Sequence, residues 1–285
     1  TATHPLDVPF HDKLVNQFRT YLIVGGMPEA VATWRETTDF LKCQQVHQDI
    51  ILTYEDDFNK YGRRVNPELL RLTLHGVCHQ IGQKLTFSRI SEGYRSAQIR
   101  EALNLLTLAG LVIPVVATSA NGVPLDAESD EKRAKYLFLD SGLLLAILHL
   151  DGQLGHDLIK FIMTATPQDL INKGSITEMV AGLEISRYKS PVMRPRLFYW
   201  EKTGNSIAEI DYLSIRSMKV LPIEIKAGTQ GGMKSLWIFM REKQLTEAVR
   251  CSLENFGSLE YIDKEDNNAV RHVRICPLYA ISSLL

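Results

Sequence analysis

No apolar run in this 285-residue sequence reaches about 18 residues, so no segment is expected to span a membrane. Cysteine is scarce. Cys43, Cys78, Cys251 and Cys276 lack CxxC spacing, which excludes a CxxC redox or zinc motif and predicts reduced, buried thiols of a cytosolic protein. The opening TATHPLDVPF has the marks of neither a signal peptide nor a transit peptide, which again points to the cytoplasm. The chain also lacks an initiating Met, as expected of a fragment of a longer polypeptide, although a cleaved tag would leave the same trace. Finally, there is almost no net charge, −1 overall, so the global balance gives no sign of a nucleic-acid partner.

What is present fits a soluble globular protein of two or three domains: 45% hydrophobic and 23% charged residues. The charge is uneven. Residues 1–60 carry net −4, 61–117 net +4, 118–154 net −3 and 155–285 net +2. The basic second segment hints at a module that faces a polyanion.

Three stretches follow one another. Residues 1–62 read as a helical linker. Leu14, Phe18, Tyr21 and Leu22 fall at helical spacing, Gly25-Gly26 stops that helix, Pro28 opens the next, and Thr38 or Asp39 caps a third. Residues 63–152 give the order of a winged helix: a helix from Asn66-Pro67, a short strand and short helix in QKLTFSRISEGY, and a third helix over about Ser96–Leu108. A two-stranded ribbon (LVIPVVA, YLFLD) follows, with TSANGVPLDAESDEKRAK as its flexible tip. The third helix would be the recognition helix, with Arg95 at its start and Arg100 on its exposed side. Many winged helices mediate only protein contacts. Asp140 and Ser141 cap SGLLLAILHL, and DGQLGHD marks a boundary near 152. Residues 153–285 read as a helix over 174–189, three strands (196–201, 208–216, 219–227) with a hairpin-like TGNS link, the helix KSLWIFMREKQL, strands AVRCSL and RHVRIC, and a closing helix PLYAISSLL.

LPIEIKAGTQGGMKS, residues 221–235, combines two motif-like pieces. GTQGGMKS is not a Walker A loop: counting from Gly228, the second glycine position is Met233. Gly228, Gly231 and Gly232 read as a strand-to-helix turn. In PIEIK, Glu224 and Lys226 share one face of a strand, while Ile223 and Ile225 take the other. In the strand before it, Glu209, Asp211 and Leu213 share a face, opposite Ile210 and Tyr212. Asp211 and Glu224 therefore converge if the strands pair, with Glu178 on the preceding helix within reach and Glu209 as a second-tier ligand. Three carboxylates within about 4 Å would repel by about 4 kcal/mol per pair at an effective dielectric of 20. They tolerate one another only with protonation, a neighbouring lysine or a divalent cation. Oxygen ligands suit Mg²⁺ or Mn²⁺, held by Glu178, Asp211 and Glu224, with Lys226 as catalytic base or charge stabiliser. An exposed, salt-bridging E-x-K edge is the plain alternative. His75, Cys78 and His79 in HGVCH lie on one helix without a third ligand, which reads as a helix-surface or core detail. Lys234 could approach a phosphate or be solvated at a helix start.

The order Glu178 on a helix, Asp211 on a strand and Glu224-Ile225-Lys226 on the next strand resembles the PD-(D/E)XK nuclease-like superfamily over residues 174–243. YLIVGGMPEAV, YLFLDSGLL, AEIDYL and PIEIKAG…KSL resemble, from about Phe18 onward, the carboxyl-terminal half of a family of prokaryotic AAA-type ATP-binding proteins. That resemblance implies a helical linker and winged-helix-like region followed by an α/β restriction-endonuclease-like domain. It also implies a P-loop ATPase upstream of Thr1; with no Walker A or B in this chain, ATP would bind only there. Two function classes follow. One is a metal-dependent nuclease acting on DNA or RNA through Asp211, Glu224 and Lys226, with nucleic-acid contacts at Arg95, Arg100 and Lys234. The other is a non-catalytic module that binds nucleic acid or protein on the same scaffold. No strong basic groove is legible in the sequence, which favours the second. Partners would be DNA or RNA, the upstream ATPase domain and further copies in an oligomer, with no membrane.

Overall fold

The computed structural model describes residues 4–148, 159–160, 162–164, 174–189, 196–202, 204, 207–228 and 232–284. The chain has a helical amino-terminal region followed by a mixed eight-stranded sheet, and it divides into two compact units. One comprises residues 19–114 and 135–164, the other 1–18, 115–134 and 165–285. Among the described residues no helix is long and apolar enough to cross a membrane.

The helices are α1 (Val8–Val24), α2 (Pro28–Thr37), α3 (Phe40–Asp57), α4 (Pro67–Cys78), α5 (Ser96–Leu108) and α6 (Ser141–Ile147). Their starts follow from short side chains that accept the first free amides. Asp39 accepts from Leu41 N at 2.9 Å, Asn66 from Glu68 N at 2.9 Å and Asp140 from Leu143 N at 3.0 Å. Pro28 and Pro67 sit in the first turns of α2 and α4, where the missing N–H has no partner to lose.

The Gly25-Gly26 stop is explained by Asp140. Gly25 has φ +69°, and a Cβ there would fall 2.2 Å from the Asp140 carboxylate. Gly26 N donates to Asp140 Oδ2 at 2.6 Å, so one carboxylate caps α6 and clamps the glycine turn together. Beside it, Gly142 leaves room for the buried ring of His47, whose Nε2 lies 3.0 Å from Val24 O. Asp140→Ala removes both functions. It is expected to lower unfolding stability by about 2 kcal/mol, read from the urea midpoint of the whole chain; an unchanged midpoint would refute the clamp.

These contacts also tie α3 and α6 into one compact unit. α3 meets α6 through His47 beside Gly142 and through Gln48 Nε2 donating to Ala146 O at 3.2 Å, so residues on both sides of 62 share one unit. The expected boundary near 152 lies outside the described residues.

The strands are β1 (Val112–Thr118), β2 (Ser129–Phe138), β3 (Leu197–Lys202), β4 (Ala208–Arg216), β5 (Lys219–Ile225), β6 (Glu247–Ser252), β7 (Gly257–Asp263) and β8 (Ala269–Pro277). Their order is β2-β1-β3-β4-β5-β6-β8-β7. β3, β4 and β5 form an antiparallel meander, and β6 runs parallel to β5. A parallel neighbour needs a crossover, and α8 (Lys234–Glu242) lies within it. Its buried Leu236, Phe239 and Met240 join Trp200, Ile210 and Leu213 in one core, with the Trp200 and Phe239 rings edge to face at 4.8 Å. The earlier helix α7 spans Gly174–Lys189, as the sequence predicts.

Several expectations are corrected. The polar tip after β1 is largely structured: a 3-10 turn covers Leu125–Glu128, and β2 already begins at Ser129. β2 ends the sheet, so one side has no strand to pair with, and its polar residues carry no apolar alternation. The ribbon is not closed on itself, because β1 also pairs parallel with β3 from Val115 to Ala117. The short strand in QKLTF is a single bridge, Lys84 to Lys135, and the short helix beside it is the 3-10 turn Phe87–Arg89. The closing helix is likewise 3-10, Leu278–Leu284. β7 was not expected at all.

Candidate functional site

The site grows from an irregularity in β4. Phe198 pairs with Leu213 but Trp200 pairs with Ile210, so Asp211 and Tyr212 together stand opposite Tyr199. This is a β-bulge, a device that bends a strand and re-aims a side chain. It breaks the two-residue alternation on which the sequence reading placed Leu213 beside Asp211. Ile210 and Leu213 lie instead in the same core, against α8.

The bulge frees Asp211 to bridge the strands. β4 and β5 pair from Arg216↔Lys219 up to Tyr212↔Ile223, and one step further the Asp211 carboxylate takes over, accepting from Ile225 N at 2.7 Å. Tyr212 is fully buried, and its hydroxyl donates to the backbone oxygen of Glu178 at 2.7 Å. Burial, and then the charges of Glu178 and Asp211, hold its phenol well above the usual range. Glu178 thus contributes its charge to this neighbourhood, although Tyr212 rather than a ligand role holds its helix there.

Glu224 is the least comfortable group. It is only 4% exposed; Oε1 lies 2.5 Å from Lys226 Nζ, and Oε2 is buried with no hydrogen-bond donor among the described residues. Its carboxyl is pushed up to about 7, by burial first and by the Asp211 charge second; Lys226 opposes this and Glu209 adds to it. The expectation that Glu224 and Lys226 share a face is met. Ile223 and Ile225 are buried on the other face, so the strand is covered on both sides and is no solvent-exposed salt-bridging edge.

The structure brings Asp211, Glu224 and Lys226 together, with Glu178 and Glu209 electrostatically linked. Among the described residues, no three His, Cys, Asp or Glu side chains form a group able to hold a metal ion. The groups present are carboxylate oxygens, the hard donors that Mg²⁺ or Mn²⁺ takes, and the donor-less Glu224 Oε2 is the atom such a cation would satisfy.

The chain matches two family models. Residues 15–154 match a Domain of unknown function (DUF8612), and residues 173–276 match a Domain of unknown function (DUF4143). No curated protein and no solved structure matches it. Glu178, Glu209, Asp211, Glu224 and Lys226 all fall within the DUF4143 match. The clamp of Gly25, Gly26 and Asp140 falls within the DUF8612 match, as do Arg95 and Arg100.

Arg95, the residue capping α5, and Arg100 within it are exposed, and the Arg100 guanidinium lies 5.8 Å from the Phe87 ring centre. Lys234 is exposed at the first position of α8. The expected glycine turn falls largely on residues 229–231, outside the described residues. In HGVCH the two rings are engaged separately: His75 Nε2 with Glu55 at 2.9 Å and His79 Nδ1 with His75 O at 2.8 Å. All four cysteines are buried and free of disulfides. Tyr212 is the site residue the sequence reading missed; its place beside Asp211 was visible, but its hydroxyl contact depends on the bulge.

Proposed function

We propose that the Asp211–Glu224–Lys226 centre is a metal-dependent phosphodiesterase acting on DNA or RNA. The observation that carries it is the buried Glu224 carboxylate, with one oxygen lacking any donor among the described residues and the charge of Asp211 beside it. Supporting it are the helix, three-strand meander and crossover helix, an order similar to the PD-(D/E)XK nuclease-like core. The resemblance to AAA-type ATP-binding proteins implies an ATPase domain as a partner of this half.

Glu224 and Asp211 would hold Mg²⁺ or Mn²⁺. The cation, when bound, polarises a phosphoryl oxygen and acidifies a water. Lys226 Nζ lies against Glu224 and would be placed where negative charge grows on the phosphate. Asp211, anchored by Ile225 N, keeps the two strand ends at fixed separation.

Titration calorimetry with Mn²⁺ tests this. The wild type is expected to bind at sub-millimolar concentration and Asp211→Ala to bind at least tenfold more weakly. Lys226→Ala should retain the ion and lose about a hundredfold in cleavage rate. A wild type that binds no divalent ion at millimolar levels, with or without nucleic acid, ends this reading. That result would favour the non-catalytic module that binds nucleic acid or protein on the same scaffold.

A further inference from the structure

The turn between β4 and β5 carries features that the carboxylate centre does not use. Arg216 and Lys219 are register partners across it, an unfavourable meeting of like charges. Between them, Ser217 (φ 50°) and Met218 (φ 60°) both adopt left-handed backbone, a geometry that two-residue hairpins normally give to asparagine and glycine. The Met218 side chain is 78% exposed, so no packing of its own compensates.

Arg216, Leu221 and Glu247 line two adjoining cavities of about 490 and 260 Å³, which therefore form one groove. Lys219, Gln244 and Thr246 continue the first, and His272 and Arg274 the second. Burial holds the Arg274 guanidinium below its usual basicity, and the charge of Arg216 lowers it further. Among the described residues, no carboxylate lies within ion-pair distance of Arg216, Lys219 or Arg274. Glu247 faces the groove beyond that distance and partly offsets the repulsion on Arg274; His272 meets Glu260 at 3.3 Å. Two guanidiniums that repel each other in a concave site are arranged for a ligand that removes the repulsion, and planar guanidinium forks suit phosphate oxygens.

We propose that this groove binds the phosphates of a nucleic-acid backbone at a distance from the carboxylate centre. The choice of polyanion rests on the phosphodiesterase reading. On β5, Lys219 and Leu221 share the face of Ile223, opposite that of Glu224, so the groove and the carboxylate lie on opposite faces of the sheet.

Fluorescence anisotropy of a labelled duplex, titrated with the full chain in EDTA, tests this without turnover. Arg216→Ala with Arg274→Ala is expected to weaken binding about tenfold and to flatten the log K against log salt slope by about two. The matching double lysine variant should retain the slope. Because the arginines repel each other, the double alanine variant should melt no lower than wild type; a lower melting point with an unchanged salt slope would make the pair structural and overturn the proposal. Unchanged affinity and slope, or no duplex binding by the wild type, overturns it too. So does a wild type whose melting responds to inorganic phosphate but which binds no duplex, the mark of a small-anion site. Duplex binding through the arginines without Mn²⁺-dependent cleavage leaves the groove standing and removes the phosphodiesterase reading. Cleavage with arginine-independent binding does the reverse.

Discussion

Arg271→Leu is expected to be the most damaging single substitution in the sheet-bearing unit, costing about 3–5 kcal/mol. Arg271 is 1% exposed at the centre of a buried network. Its Nε donates to Asp263 at 3.2 Å, its Nη1 to Met240 O at 3.1 Å and to Leu245 O at 2.5 Å, and its Nη2 to Asp266. Asp263 is in turn gripped by Arg241 of α8 through two bonds, at 2.9 and 2.8 Å, which hold its carboxyl below the usual range. Leucine would take the arginine donor from Leu245 O and from Met240 O, which keeps Leu245 N at 2.8 Å, and would halve the neutralisation of a buried carboxylate. Arg271→Lys keeps the charge but not the fork, so its loss should be smaller. Denaturant unfolding of both variants checks this ranking; equal losses would show that charge alone, without geometry, carries the contribution.

Glu224→Gln should act in the opposite direction, and only at high pH. The folded carboxyl titrates near 7 against an ordinary 4.5, so the native state holds a proton that the unfolded chain has already released. Folding therefore takes up a proton between those values, and wild-type stability falls as pH rises through the window. The total is up to about 3 kcal/mol, with little change above it. In EDTA, Glu224→Gln should match wild type near pH 4.5 and exceed it at pH 8. Adding Mn²⁺ at pH 8 should return stability to the wild type and not to the variant. Parallel stability curves for the two proteins across this range would show that Glu224 is not held neutral by its surroundings.

Helix starts were the most legible part of the sequence, because one side chain and the next two or three amides decide them. Asp39, Asn66 and Asp140 all cap where expected. Strand order was legible from Leu197 to Ile225, where apolar residues are dense. It failed at β7, whose side chains are mostly exposed and whose pairing with β8 alone makes it a strand. At the site, residue identities were legible and their facing was only partly so. Glu224 and Lys226 obey period two, but Asp211 sits in a bulge, and a bulge is a relation between two strands that no single strand announces. The Arg216–Arg274 groove was wholly hidden. Its members are 58 positions apart in sequence and meet only through the sheet order.

The surplus residue in β4 also bears on how such a domain changes over generations. A sheet tolerates loss of a bulged residue better than loss of a paired one, because deletion restores plain pairing. Removing one residue between Ile210 and Leu213 would leave the core of Trp200, Ile210, Leu213 and Phe239 intact. It would also turn the surviving side chain at the bulge into an ordinary strand position, no longer aimed across the ribbon. A descendant that lost the Tyr212 codon could therefore exchange the proposed chemistry for scaffolding, with every acidic residue and the lysine of PIEIK still in its sequence. Among relatives of this chain, the spacing from Glu209 to Leu213 is thus a sharper discriminator than the presence of the E-x-K signature.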